Sequence, residues 1–272
     1  MASVHTFNSI EDSLLSMTNH LVLYGEKISP RGEPTYELRN VTMVIKDSSD
    51  SIATDMNRNV NVKLASAEAL QLMGGFSDPE VMGNIAPNTR QFRTGGVFNG
   101  AYGPRIRPQL EKATERLRID GGTRQAVVTV WDPLYDQQDG IKDIPCTVSY
   151  NWHIRDDKLH QTTHMRSNDI WWGWTYDLPM HASLLHTMAH ILDVGVGDYV
   201  HVVDSLHIYE RDIHASGLLH PSKEKGIRLT GITASSWEEV RKVAHDIFYD
   251  NIDHSQSYYT ASEMSYHGLL HG

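Results

Sequence analysis

The chain's only cysteine, Cys146, follows Pro145 at the head of a β-branched and aromatic run, where a side chain projects from a fixed backbone into a neighbouring cleft. A lone cysteine is more often an inert buried residue, and that is the plain alternative to a nucleophilic thiolate. Its neighbourhood favours chemistry. Arg166-Ser167-Asn168-Asp169 offers a guanidinium able to lower a thiol pKa and grip phosphate, with a hydroxyl beside it for the same anion. Asp177 stands at the start of a helical stretch, and His207 and Tyr209, two apart at the end of a β-rich segment, share one strand face. One cysteine also excludes an intramolecular disulfide and any cysteine-rich zinc or iron-sulfur site. His186 and His190 have the i, i+4 spacing of two ligands on one helix face, but no Glu adjoins His186, so hydrogen-bonded histidines and no metal are expected. Gly74-Gly75, Gly95-Gly96 and Gly121-Gly122 fit no phosphate or dinucleotide fingerprint and read as turns.

These groups must be held by a substantial scaffold. The 272 residues are 40% hydrophobic and 21% charged, enough for one large buried core. No repeat, low-complexity tract or charge block marks a linker, so a single domain over 1–272 is expected. With 24 Lys+Arg against 34 Asp+Glu the net charge is −10, which argues against a protein that coats nucleic acid. No apolar stretch is long enough for a membrane span, and the first residues lack a basic region followed by an apolar block, so a cytoplasmic protein is expected. Apolar spacing predicts helices over 9–24, 65–73, 108–117, 178–192 and 236–248. Strands are predicted over 41–45, 125–131, 146–153, 159–166 and 199–209, with loops across the Gly-, Asn- and Pro-rich residues 74–101. Strands and helices without regular βαβ alternation define an α+β fold.

Pro145-Cys146, Arg166-Ser167-x-Asp169, Gly173, Asp177, and Gly197-Asp198 followed by His207-x-Tyr209 together resemble the thymidylate synthase family. The resemblance extends outward to Arg31, Glu68, Ala101-Tyr102-Gly103 and Arg124. It implies a mixed sheet flanked by helices, with one sheet face forming a homodimer interface. It also implies 5,10-methylenetetrahydrofolate as co-substrate, with Cys146 adding to C6 of a pyrimidine nucleotide so that C5 attacks the one-carbon unit. By the same resemblance Arg31, Arg166 and Ser167 hold the 5′-phosphate, and Arg124 reaches the partner subunit's phosphate. His207 and Tyr209 bond the sugar, Glu68 relays protons through water, Tyr102 assists loss of the C5 proton, and Asp169 helps position the nucleotide and the folate ring. Where the family has two consecutive arginines, this chain has Arg124-Gln125.

Two departures carry the specificity argument. Asp177 stands where thymidylate synthases have asparagine, whose amide donates to uracil O4 and accepts from N3-H. A carboxylate accepts from the cytosine amino group instead, and the same substitution marks the deoxycytidylate hydroxymethylase branch. The bland alternative is that Asp177 is only a helix N-cap. Secondly, no tryptophan occurs from residue 1 to 130, where the family has a Trp-rich folate wall that favours hydride transfer. Water capture of the exocyclic methylene would then give a hydroxymethyl product. Trp171, Trp172, Trp174 and Tyr176 cluster instead near the base-reading residue, with Trp172 and Tyr176 as candidate folate contacts and core packing as the alternative. The expected activity is dCMP 5-hydroxymethylation. The alternatives are a dUMP methylase or hydroxymethylase read by protonated Asp177, a CMP hydroxymethylase, or an idle nucleotide- or RNA-binding relative.

Overall fold

A computed structural model describes residues 3–55, 57–217, 226–252 and 259–272. An eight-stranded mixed sheet forms its centre. β1 (Ser3–Phe7) pairs in parallel with β3 (Thr35–Ile45), which runs antiparallel to β9 (Gly195–Tyr209). β9 pairs in parallel with β7 (Lys158–Met165), and β7, β6 (Thr147–Arg155) and β5 (Ala126–Thr129) continue as an antiparallel ladder. Two short strands complete the sheet, β2 (Glu26–Ile28) on β3 and β8 (Asn168–Asp169) on the end of β9. A separate ribbon pairs β4 (Asp50–Ile52) with β10 (Ile227–Arg228).

Alternation along the strands sorts the two faces. On one side Met43, Tyr150, Trp152, Leu159, Gln161, Thr163, Tyr199 and His201 are all buried. Onto that side pack α1 (Ile10–Tyr24) and α5 (Trp174–Leu192), with α2 (Val62–Gly74) and α4 (Tyr102–Ile119) against α5. α7 (Trp237–Phe248) and α8 (Ala261–His271) add a further layer on α2, while α3 (Pro79–Ile85) and α6 (Ile213–Ser216) are short outer turns. On the other side Thr42, Val44, Asn151, Thr162, Val200 and Val202 are only half-buried. Among the described residues no helix is long and apolar enough to cross a membrane.

The predicted elements are present, and several boundaries move outward. α4 begins at Tyr102 although Pro108 lies inside it, because Pro104 occupies the first turn, where no amide hydrogen is needed. β3 begins at Thr35, where pairing with the end of β9 overrides weak local β propensity. The expected loop over 74–101 contains α3, capped by Asp78 with Pro79 at its first position, and a 3-10 turn at Pro87–Phe92. Residues 261–271 form α8, opened by a capping box between Thr260 and Glu263. Trp174 shows how the helical layer is anchored: it is fully buried and its indole donates to Ser13 Oγ at 3.0 Å, tying α5 to α1. Trp174→Ala is expected to lower unfolding free energy by about 3–5 kcal/mol, read as a fall in urea midpoint with unchanged slope.

Candidate active site

Strand register gathers the chemistry at one end of the sheet. Thr35 opposes Tyr209, Asp169 lies beside His207 on β8, and Thr147 opposes Met165. This brings the Arg31 loop, the His207/Tyr209 end of β9, the Arg166-Ser167 turn and the Cys146 turn to one rim. Next to it a cleft of about 470 Å³ is lined by Glu68 and Leu72 from α2, Tyr102 from α4, Asp143, and Trp172, Tyr176 and Asp177 around the start of α5. Gly103 lets α4 approach this closely, since a Cβ there would meet the carbonyl oxygens of Gln71 and Phe76.

Cys146 is partly buried beside the cleft. The amide of Thr147 donates to Tyr102 Oη at 3.3 Å, so the phenol expected to handle the C5 proton sits against the backbone just after Cys146, the expected nucleophile. The expected lowering effect of Arg166 on the thiol is present but does not decide its pKa. Burial is the largest effect and raises the Cys146 pKa; Arg166 opposes it, Asp177 and Asp143 reinforce it, and Arg31 pulls weakly down. Arg166 is engaged with the same turn, donating from Nε to Pro145 O at 2.9 Å and from Nη2 to Ile144 O at 3.0 Å, while its amide donates to Cys146 O. Glu68 is pushed up to about 8, first by burial and then by Asp177, so it is predominantly protonated at neutral pH. Tyr102 is raised for the same first reason and stays a neutral phenol.

Asp177 is not the N-cap. Gly173 holds that position, and the Asp177 amide already donates to Gly173 O at 2.9 Å within the helix. Its carboxylate is turned into the site, where Oδ2 accepts from Asn168 Nδ2 at 2.5 Å and Oδ1 lies 3.8 Å from His181 Nε2. Gly173 makes room for this pair: a Cβ there would stand 2.6 Å from Asn168 Nδ2 and 3.2 Å from Asp177 Oδ2. Burial raises the Asp177 pKa to about 7, with the Asn168 bond pulling down and Asp169 pushing up. His181 is fully buried and held well below its ordinary value by burial and by His201, so it is neutral. Its Nδ1 bonds Tyr150 Oη at 3.0 Å.

The remaining expected residues divide. His207 and Tyr209 stand with rings perpendicular at 5.4 Å, on the strand face the sequence implies. Arg31 is exposed in a left-handed conformation (φ 54°) within the Pro30–Gly32 turn, and Ser167 is half-buried beside Arg166. Asp169 does not line the cleft; its Oδ1 accepts from Trp171 N at 2.8 Å and Trp172 N at 3.1 Å, fixing the turn into α5. Arg124 is exposed before the edge strand β5 and does not line the cleft either. The adjoining Gln125 accepts from Arg116 at 2.8 Å, pinning β5 to α4.

The aromatic cluster splits between wall and core. Trp172, 51% exposed, and Tyr176 face the cleft, whereas Trp171 and Trp174 are core. Arg58, only 4% exposed, organises the wall: its guanidinium lies 4.7 Å from the Trp172 ring and 5.5 Å from Tyr176, and donates to Trp171 O and Thr175 Oγ1. No local motif marks Arg58, because its partners lie more than a hundred residues away. Phe76, Phe92 and Phe98 complete the side where tryptophan is missing. Asp143 is a further carboxyl the motif reading did not single out; it accepts from Gly100 N at 2.8 Å, and burial raises its pKa. His186 and His190 bond separately to Ser48 Oγ and Thr230 O, both at 3.0 Å. Asp250, His267 and His271 bring three ligand-type atoms within 4.8 Å of one another, but none of them lines the cleft.

Residues 22–243 match the thymidylate synthase family, and the chain belongs to it. Among curated relatives it is similar to a deoxyuridylate hydroxymethyltransferase of Bacillus phage SP01, 31% identical over 83% of this chain and 64% of that protein. Proteins of the same description from Pseudomonas phage M6 (28% identical, 74% of this chain and 60% of that protein) and Delftia phage PhiW-14 (28%, 76% and 64%) are also similar. The chain thus spans less than two thirds of the length of these relatives.

Proposed function

We propose that residues 1–272 act as one catalytic domain that hydroxymethylates a pyrimidine deoxynucleotide, dCMP, at C5. The convergence of Tyr102, Glu68 and Asp177 on one cleft, with Cys146 beside it, carries this reading. 5,10-Methylenetetrahydrofolate supplies the one-carbon unit as co-substrate. The cleft suits such a flat ring system, because Trp172 presents an exposed face braced by Arg58 and by a 3.1 Å bond to Asp212.

In the proposed cycle the Cys146 thiolate bonds to C6, and the ring electrons make C5 nucleophilic. After carbon transfer the C5 proton leaves toward Tyr102, with Glu68 and water passing it onward. The electrons of the broken C5–H bond expel folate N5 from the transferred carbon, which releases tetrahydrofolate without oxidation and leaves an exocyclic methylene. A water oxygen then bonds to that methylene and gives its proton to the cleft water, and the ring electrons return to break the C6–S bond. Glu68 and Asp143 both line the cleft and give the incoming water polar partners. Arg31, Arg166 and Ser167 are the phosphate clamp in this scheme, and His207 and Tyr209 bind the sugar. Two chains are proposed to associate through the half-buried sheet face, with Arg124 serving the partner subunit's site. The phage relatives support a host cytoplasm as its location in this reading.

The second reading is dUMP as substrate. The description of the three phage relatives favours it, and so does a carboxyl that is half-protonated near neutrality. Protonated Asp177 donates to uracil O4 and accepts from N3-H, whereas the ionised form accepts from the cytosine amino group. With a pKa of about 7, the protonated form dominates below that pH and the ionised form above it. The dCMP/dUMP ratio of kcat/KM is therefore expected to rise with pH through about 7. A panel of dCMP, dUMP and CMP, each supplied with methylenetetrahydrofolate and followed by product mass across that range, checks both base and sugar. A flat ratio would detach Asp177 from base recognition.

A further inference from the structure

A line of buried polar side chains runs through the covered face of the sheet and ends at Asp177. Trp152 Nε1 donates to Gln161 Oε1 at 2.8 Å, and Gln161 Nε2 donates to Thr163 Oγ1 at 3.2 Å. Thr163 stands diagonally across from Tyr199 on the neighbouring strand, and Tyr199 Oη bonds His201 Nδ1 at 2.8 Å. His201 Nε2 bonds Asn168 Oδ1 at 3.2 Å, and Asn168 Nδ2 reaches Asp177 Oδ2 at 2.5 Å. Trp152, Gln161, Thr163, Tyr199 and His201 are all fully buried, so water cannot reorient any of them.

Gln161 is oriented by Trp152, whose indole N-H can only donate, so its carbonyl faces Trp152 and its NH₂ faces Thr163. Tyr199 is held as a neutral phenol by burial and donates to His201 Nδ1. A neutral imidazole that accepts at Nδ1 carries its hydrogen on Nε2. His201 is kept neutral, its pKa lowered to about 3 by burial and by His164. Its Nε2-H donates to Asn168 Oδ1, which turns the Asn168 amide nitrogen toward Asp177. Tyr199, His201 and Asn168 thus share one self-consistent set of donors and acceptors.

We infer that the line Tyr199–His201–Asn168 is a specificity device that holds a permanent donor on Asp177 Oδ2 and so biases this carboxyl toward the acceptor state that reads an amino-bearing pyrimidine. The inference rests on the proposed role of position 177 in base reading. Breaking the line at His201 frees Asn168 to flip, and its carbonyl oxygen then accepts from protonated Asp177. The protonated state gains, and uracil gains with it.

Other groups act on Asp177 from every side: Glu68 of α2, Tyr102 of α4, Cys146 ahead of β6, Tyr150 of β6, Asp169 of β8, Tyr199 of β9 and His181 on its own helix. All of these remain in the variants that alter His201, so a difference between variants reports the line itself.

The test uses His201→Phe, the milder Tyr199→Phe, and His201→Gln, whose amide nitrogen can replace the Nε2 donor. Two readouts are taken: the Asp177 carboxyl midpoint in ligand-free protein by ¹³C NMR, assigned with Asp177→Asn, and the dCMP/dUMP ratio of kcat/KM. His201→Phe is expected to raise the midpoint and lower the ratio about tenfold, the loss associated with one charge-directed hydrogen bond. Tyr199→Phe moves both in the same direction by less, and His201→Gln restores both. Folded His201→Phe and Tyr199→Phe proteins with unchanged midpoint and ratio would overturn the inference; if His201→Phe does not fold, Tyr199→Phe decides. A wild-type protein that turns over neither nucleotide would refute the proposed function, while the carboxyl midpoints would still decide the inference.

Discussion

Cys146→Ser abolishes release of the pyrimidine C5 proton, by a factor of about 10⁴ or more, while nucleotide binding changes only a few-fold. A serine hydroxyl is far less acidic than a thiol and is a poor nucleophile unless a base activates it. Neither Tyr102, held as a neutral phenol, nor the largely protonated Glu68 supplies such a base at neutral pH, and Arg166 donates its hydrogens to the carbonyls of residues 144 and 145. Without the C6 adduct, C5 never becomes carbanion-like, so both proton loss and carbon transfer stop together. Binding survives because the proposed phosphate and sugar contacts belong to Arg31, Arg166, Ser167, His207 and Tyr209. The measurement is release of tritium from C5-labelled nucleotide beside a calorimetric binding titration. Persistent tritium release would remove the nucleophile assignment.

The second large effect is at Asp177. Asp177→Asn is expected to lower the dCMP/dUMP ratio of kcat/KM by about 10³, because a buried site arranged to accept from an amino group becomes one that presents a donor to it. The substitution is nearly isosteric, and Asn168 and Gly173 shape the space around it, so stability should change little. It should also abolish the pH dependence of the ratio near 7, since an amide does not titrate. Parallel kinetics on both nucleotides at several pH values test this. A variant that keeps both the ratio and its pH dependence would reduce Asp177 to a structural carboxyl.

Much of the site was legible because its residues sit at fixed spacings within a contiguous half of the chain. Cys146, Arg166-Ser167 and His207-x-Tyr209 fall at strand ends that register brings to one rim, and Asp177 lies in the first turn of α5 on the adjoining cleft. What stayed hidden depends on partners distant in sequence. Arg58 gains its place only from Trp171 and Thr175, and Asp143 only from Gly100. The buried polar line is likewise invisible along the chain, where Gln161, Thr163, Tyr199 and His201 look like ordinary alternating strand residues. The helix boundary at Asp177 was misplaced because aspartate is a favoured cap, whereas tertiary packing of Trp174 starts the helix four residues before the predicted Leu178. The net shift of the thiol is hidden for a related reason: the lowering effect of Arg166 is conspicuous in sequence, but the burial that outweighs it is not.

In the proposed reaction water, not hydride, adds to the transferred carbon. The direct test is to incubate the protein with dCMP and methylenetetrahydrofolate, then determine the nucleotide by mass and the folate by absorbance in the same tube. The expected result is hydroxymethylated dCMP and no dihydrofolate. A methylated nucleotide accompanied by an equal amount of dihydrofolate would contradict it.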